Sequence, residues 1–125
     1  MLVNRVPGNF HIEARSKHHN LNPSLTNLSH VVHHLSFGPP ISQRLLNRLK
    51  SVPEEYLHHS TMDDNVYVNN EFHQAFHHYI KVVPTHYEVD GTYMGKNSIV
   101  GYQMVEQSQN MFYEDGDVPE ARFSY

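Results

Sequence analysis

The stretch that most constrains the fold is "EFHQAFHHYIKVVPTHYEV", residues 71–89. It is long, β-branched and aromatic. Its middle alternates Tyr79, Lys81 and Val83 against His78, Ile80 and Val82, so both faces carry apolar groups. Such a run reads as an extended strand with an irregularity. Pro84 removes a ladder donor and suits an edge position or a bulge. Asp90-Gly91 then gives a hairpin turn signal. "NSIVGYQMVEQ", residues 97–107, reads as the return strand, with Val100, Tyr102 and Met104 on one face.

The rest of the chain adds shorter pieces of the same kind. "GNFHIEAR" alternates Phe10, Ile12 and Ala14 against Asn9, His11 and Glu13, the period of a half-buried strand. "HNLNPSLTN" is a polar loop punctuated by Pro23. In "LSHVVHHLSFG" the parity Val31, His33, Leu35, Phe37 is the more apolar and is placed toward the core. His33 then sits at the core edge with a hydrogen-bond partner, and His30 and His34 face away. Gly38-Pro39-Pro40 stops that strand. "NVYV" is a further short strand, "EDGD" a turn, and "EARFSY" the start of a last strand that the chain end cuts. Losing part of that strand would leave an unpaired edge and marginal stability. The only helix signal is "SQRLLNRLK": Ser42 is a candidate N-cap, and Leu45, Leu46 and Leu49 share a face with Ile41 just before it. The expected fold is therefore mainly β, an antiparallel β-sandwich with one short amphipathic helix, forming a single domain over residues 1–125.

Composition closes off several functions. A chain of 125 residues can bury roughly two-thirds of its unfolded surface, enough for a core. Nine Lys+Arg against thirteen Asp+Glu leave no cationic excess for nucleic acid. There is no cysteine, hence no disulfide, thiol nucleophile or redox pair within these residues. No apolar run approaches ~20 residues, and the start lacks the layout of a signal peptide. Any anchor or signal is expected outside the chain.

Twelve histidines are the oddity. His73 and His77 stand four apart, as zinc ligands often do on a helix, but their surroundings favour strand. His33 and His34, like His77 and His78, point to opposite faces of a strand. No metal site is expected, and no cofactor site. No serine sits in a nucleophile elbow and no glycine-rich loop precedes a helix. The carboxylate pairs Glu54-Glu55 and Asp63-Asp64 read as solvated loop charge, so no catalytic residue is assigned. Asn27-Leu28-Ser29 is a formal N-glycosylation sequon, which makes Asn27 a glycosylation candidate if the chain is luminal.

"RVPGNFHIEARS", "NLSHVVHHLSFG", "HYIKVVPTHYE" and "VPEARFSY", in this order, resemble the luminal C-terminal region of the endoplasmic reticulum vesicle transporter family. Those are the ER–Golgi intermediate compartment proteins that cycle in COPII-coated vesicles. The resemblance is strongest to the branch in which this region follows a thioredoxin domain, in disulfide-isomerase-like membrane proteins. It implies a luminal β-sandwich held between transmembrane segments of a protein anchored in the ER, intermediate-compartment and Golgi membranes. The implied role is non-enzymatic: binding luminal cargo proteins, or a related family subunit, with no nucleic acid. The alternative is a substrate-positioning region for a thioredoxin domain outside this chain. A third idea is a His-rich metal-binding protein. Under the resemblance, the histidines could also titrate as pH falls from ER to Golgi. The cysteine pair that some family members carry in this domain is absent here, and the chain reads as a fragment.

Overall fold

The computed structural model describes residues 6–15, 17–18, 22, 25–40, 42–57, 59–89, 97–114 and 116–125. Six strands run through them: β1 (Asn9–Glu13), β2 (His30–Val32), β3 (Asn65–Tyr67), β4 (Gln74–Val89), β5 (Asn97–Phe112) and β6 (Glu120–Ser124). They form a four-stranded sheet, order β1-β6-β4-β5, and a two-stranded sheet, β2-β3. The mainly-β, two-sheet architecture with one short helix is thus the one the sequence led us to expect.

β4 and β5 are the long hairpin arms, paired without a slip from Gln74↔Phe112 to Val89↔Asn97. An unbroken register has no bulge at Pro84. The proline instead occupies an edge, because β6 pairs with β4 only from His77 to Tyr79. Beyond that point, among the described residues, β4 carries β5 on one side alone. The Asp90-Gly91 turn lies outside the described residues, as do Pro23 and Ile41.

β6 corrects an expectation. It is an interior strand, antiparallel to β1 and parallel to β4, so the larger sheet is mixed and its edges are β1 and β5. Its inward residues Ala121 and Phe123 are buried, which fixes it between its neighbours.

The core lies between the sheets: Met62, Tyr67, Ile80, Met104, Ala121 and Phe123, with Phe10, Val32, Leu35, Phe37 and Phe76 packed against them. Phe10 stacks on Phe123 at 4.6 Å between ring centroids. Ile12, on the same parity, is 58% exposed, so the alternation of β1 holds at Phe10 and fails one step on.

β2 also departs from the simple alternation. His30 and Val32 face inward, while Val31 is exposed opposite Val66, which is also exposed. The strand ends at Val32 and the chain bends at His33, which is exposed. That bend moves the phase by one residue, so Leu35 and Phe37 return to the core. Asp63 holds the bend: its Oδ1 accepts the Leu35 N–H at 3.0 Å, and its Oδ2 lies 2.7 Å from His34 Nδ1. The Asp64 N–H donates to the Val32 carbonyl at 2.7 Å. Asp63 is therefore a structural carboxylate rather than idle loop charge. Desolvation alone would raise its pKa, but the bonds from His34 and Leu35 outweigh that and hold it below the ordinary aspartate value.

The helix α1 (Gln43–Arg48) is shorter than its sequence signal, and 3-10 turns at Leu49–Ser51 and Glu54–Tyr56 follow it. The Ser42 carbonyl accepts the Leu46 N–H at 3.0 Å. Leu49 is buried and Leu46 largely exposed; the Leu45 side chain lies outside the described residues. The segment after the helix ties to the far end of the hairpin. Tyr87 donates its hydroxyl to the Tyr56 carbonyl at 2.6 Å, and His59 Nδ1 lies 2.8 Å from the Tyr102 carbonyl.

Candidate functional site

Where β6 stops, the edge of β4, without a strand partner among the described residues, opens into a groove of about 650 Å³. Ile80 and Val82 of β4 form its floor. Phe37, Tyr102 of β5 and Tyr125 at the end of β6 form its walls, and Lys81 and Pro84 lie along the edge. Each wall has a specific cause. Phe37 arrives because the bend at His33 restored its phase. Gly38 beside it has φ +88°, and a Cβ there would run into the Tyr102 ring, so only glycine allows the chain to pass so close. Tyr125 is pinned by reciprocal backbone bonds with Gly8, both 2.8 Å. Its ring lies 5.5 Å from that of Phe37.

Among the described lining residues, Lys81 is the one formal charge, and none is a carboxylate, serine or histidine. Such a cleft can hold apolar side chains. An open strand edge beside it supplies unpaired backbone groups, the chemistry of strand addition. Lys81 and Pro84 are the usual guards against indiscriminate pairing of such an edge.

The histidines scatter, with one exception. His77 lies on the outer face of β4, where its Nε2 is 2.7 Å from the Tyr113 hydroxyl, which donates to the Glu120 carbonyl. Burial, then the Arg122 guanidinium, pushes His77 below the ordinary histidine range. His73 precedes β4 with φ +60°, so no helix brings it over His77. The exception is His30 and His78. Their Nε2 atoms lie 2.9 Å apart, joining the small sheet to the large one. His78 has no exposed surface, and Tyr67 and Phe123 pack on it at 4.5 and 4.4 Å. His78 Nδ1 lies 2.7 Å from Ser108 Oγ, which lies 2.7 Å from Glu106 Oε2, and His30 Nδ1 lies 2.8 Å from the Leu28 carbonyl. The expectation that His30 faces away was mistaken for the reason already given, the short β2 and the bend after it.

Among the described residues, three possible ligand side chains converge at His11, Glu13 and Glu120, on the exposed β1–β6 margin. Arg15 and Arg122 already balance these carboxylates. The register Glu13↔Glu120 that brings them together could not be read from β1 alone. Asn27 is exposed, with its Oδ1 accepting from the Ser29 N–H at 2.8 Å and from the Ser29 hydroxyl.

The groove and edge offer apolar contact and backbone pairing, and comparison with known proteins gives the family. The family model for the endoplasmic reticulum vesicle transporter matches residues 1–125, and the chain belongs to that family. It is 41% identical over 87 residues to protein disulfide-isomerase 5-3 of Arabidopsis thaliana, covering 66% of this chain and 18% of that protein. It is 34% identical over 88 residues to protein disulfide isomerase-like 5-4 of Oryza sativa subsp. japonica, covering 66% of this chain and 18% of the relative. The ER-derived vesicles protein ERV46 of Saccharomyces cerevisiae is 31% identical over 102 residues, 69% of this chain and 24% of that protein. The chain thus spans about a fifth of the length of these relatives. No solved structure matches. Family membership is consistent with ER–Golgi transport, and no helix among the described residues is long and apolar enough to cross a membrane.

Proposed function

We propose that these residues form one luminal domain of a membrane-anchored protein cycling between ER and Golgi in COPII-coated vesicles. Its role is to bind a partner or cargo protein without chemistry. The groove beside β4 takes an extended segment of that partner, running in line with β6. The observation that carries this is the continuity of the edge: β6 already pairs parallel with β4 from His77 to Tyr79, and among the described residues the same edge continues without a strand partner along an apolar groove. A fitting segment places an apolar side chain at every second position and an acidic one against Lys81.

Fluorescence anisotropy with a labelled peptide of alternating valines and polar residues, one of them glutamate, tests this. Val82→Lys should weaken binding at least tenfold, and so should N-methylation of the peptide's pairing amides. Val105→Lys, on the exposed outer face, should leave binding unchanged. Equal affinity of the methylated peptide, or of Val82→Lys, would refute the site.

The names of the plant relatives favour a second reading, in which the same groove positions substrate for a thioredoxin domain outside this chain. In either reading the domain is luminal and Asn27 is glycosylated. Expression through the secretory route should give a species whose mobility shifts on glycosidase treatment and that Asn27→Gln lacks. A wild-type chain that never shifts would remove the glycan.

A further inference from the structure

The bonds around His30 and His78 have a direction, and the directions conflict. The Leu28 carbonyl can only accept, so His30 Nδ1 must carry a proton. If Glu106 is a carboxylate it too only accepts, so Ser108 donates to it and receives the His78 Nδ1 proton. Two neutral rings would then both present bare Nε2 lone pairs, facing each other at 2.9 Å, with His78 fully buried and His30 partly so. That contact is repulsive unless something lies between them.

From this we infer that the folded domain holds one extra proton on the chain Leu28–His30–His78–Ser108–Glu106, and that this proton bonds the two sheets together. With His78 kept neutral by its burial, two arrangements satisfy every group. In one, His30 is an imidazolium donating to His78, and Glu106 balances it as a carboxylate across Ser108. In the other, both rings are neutral and every bond beyond His30 is reversed: Glu106 is protonated and donates to Ser108, Ser108 to His78 Nδ1, and His78 to His30. Both contain one proton more than two neutral imidazoles and a carboxylate. The groups facing the pair allow this. Tyr67, Phe76 and Phe123 present rings from β3, β4 and β6, while His77, Arg122 and Glu120 cluster with one another around the outer face of β4. Glu106 is thus the anion tied to the pair by hydrogen bonds. His78 is pushed down to about 4, first by burial and then by His30, so the chain accepts one proton and resists a second.

The test is nitrogen-15 NMR of the imidazoles of the whole chain near neutral pH, in the presence of a chelator. The expected result is either a doubly protonated His30, or His78 protonated at Nε2 with Glu106 neutral. Two neutral rings with bare Nε2 atoms would overturn the inference. So would loss of the pair's signals only when zinc is restored, since a metal ion would then be the bridge. Glu106→Gln supplies the second readout: its amide can donate to Ser108, Ser108 to His78 Nδ1 and His78 Nε2 to His30, so every group is satisfied without an extra proton and both rings should be neutral, with His78 protonated at Nε2. A doubly protonated His30 in Glu106→Gln would overturn the proton's placement, and Ser108→Ala, which cuts the same chain, gives the same readout if Glu106→Gln does not fold.

Discussion

Replacing Phe123 by alanine is expected to lower the unfolding free energy by about 3–5 kcal/mol, the range for removing a buried phenylalanine. Phe123 is 5% exposed on an interior strand, with Phe10 stacked at 4.6 Å on one partner surface and His78 at 4.4 Å on another. His30 lies 5.9 Å away. Each such ring pair adds about 0.5–1.5 kcal/mol beyond the burial itself, which puts the loss in the upper half of the range. The deletion would also leave a cavity where the small sheet meets the large one. Urea unfolding of Phe123→Ala and Phe123→Leu provides the measurement, with leucine expected to cost distinctly less because it keeps most of the volume. Ile12→Ala, at a 58% exposed position two residues from Phe10, should change stability by about 0.5 kcal/mol or less. A loss below about 1 kcal/mol for Phe123→Ala would mean that the sheets do not meet through this ring.

The long hairpin was legible because its information is local. Sixteen consecutive residues in β4 are enriched in strand formers, and Pro84 announces an edge or a bulge through a property of its own ring. What resisted reading was set by contacts distant in sequence. The alternation in β2 pointed Val31 and His33 inward, and nothing nearby reveals that Asp63, about thirty residues on, captures the Leu35 N–H and bends the chain. The partners of β6 are likewise unreadable: a five-residue strand carries no sign that it will lie parallel to β4 and antiparallel to β1. The groove follows from both of these, since its walls are Phe37 beyond the bend and Tyr125 at the end of β6. Its floor, Ile80 and Val82, had been seen as one apolar face of the strand. The histidine pair was hidden in the same way, because an excess of histidine says nothing about which two meet across the sheets.

Acidification should destabilise the domain before its carboxylates titrate. His78 is solvent-inaccessible, and burial followed by the neighbouring His30 depresses its folded-state pKa to about 4 from an ordinary 6.5. In the unfolded chain the ring regains the ordinary value and binds a proton that the folded chain refuses. Its contribution is therefore complete above pH ~6.5 and drains away as pH falls toward ~4, where about 3 kcal/mol has been lost. His77, shifted in the same direction by burial and Arg122, adds to the same limb. Asp63 acts lower, because its depressed pKa makes its loss begin only as the aspartate itself protonates. Urea midpoints collected across pH 4–8 should fall on the acid side with the slope of one to two protons. His78→Gln, which keeps a hydrogen-bonding side chain without a titrating ring, should be less stable at pH 7 but show a shallower acid limb. Should the wild-type midpoint hold level down to pH 4, His78 would have to take up its proton inside the fold. The junction between the sheets would then admit that proton in spite of the burial of the ring.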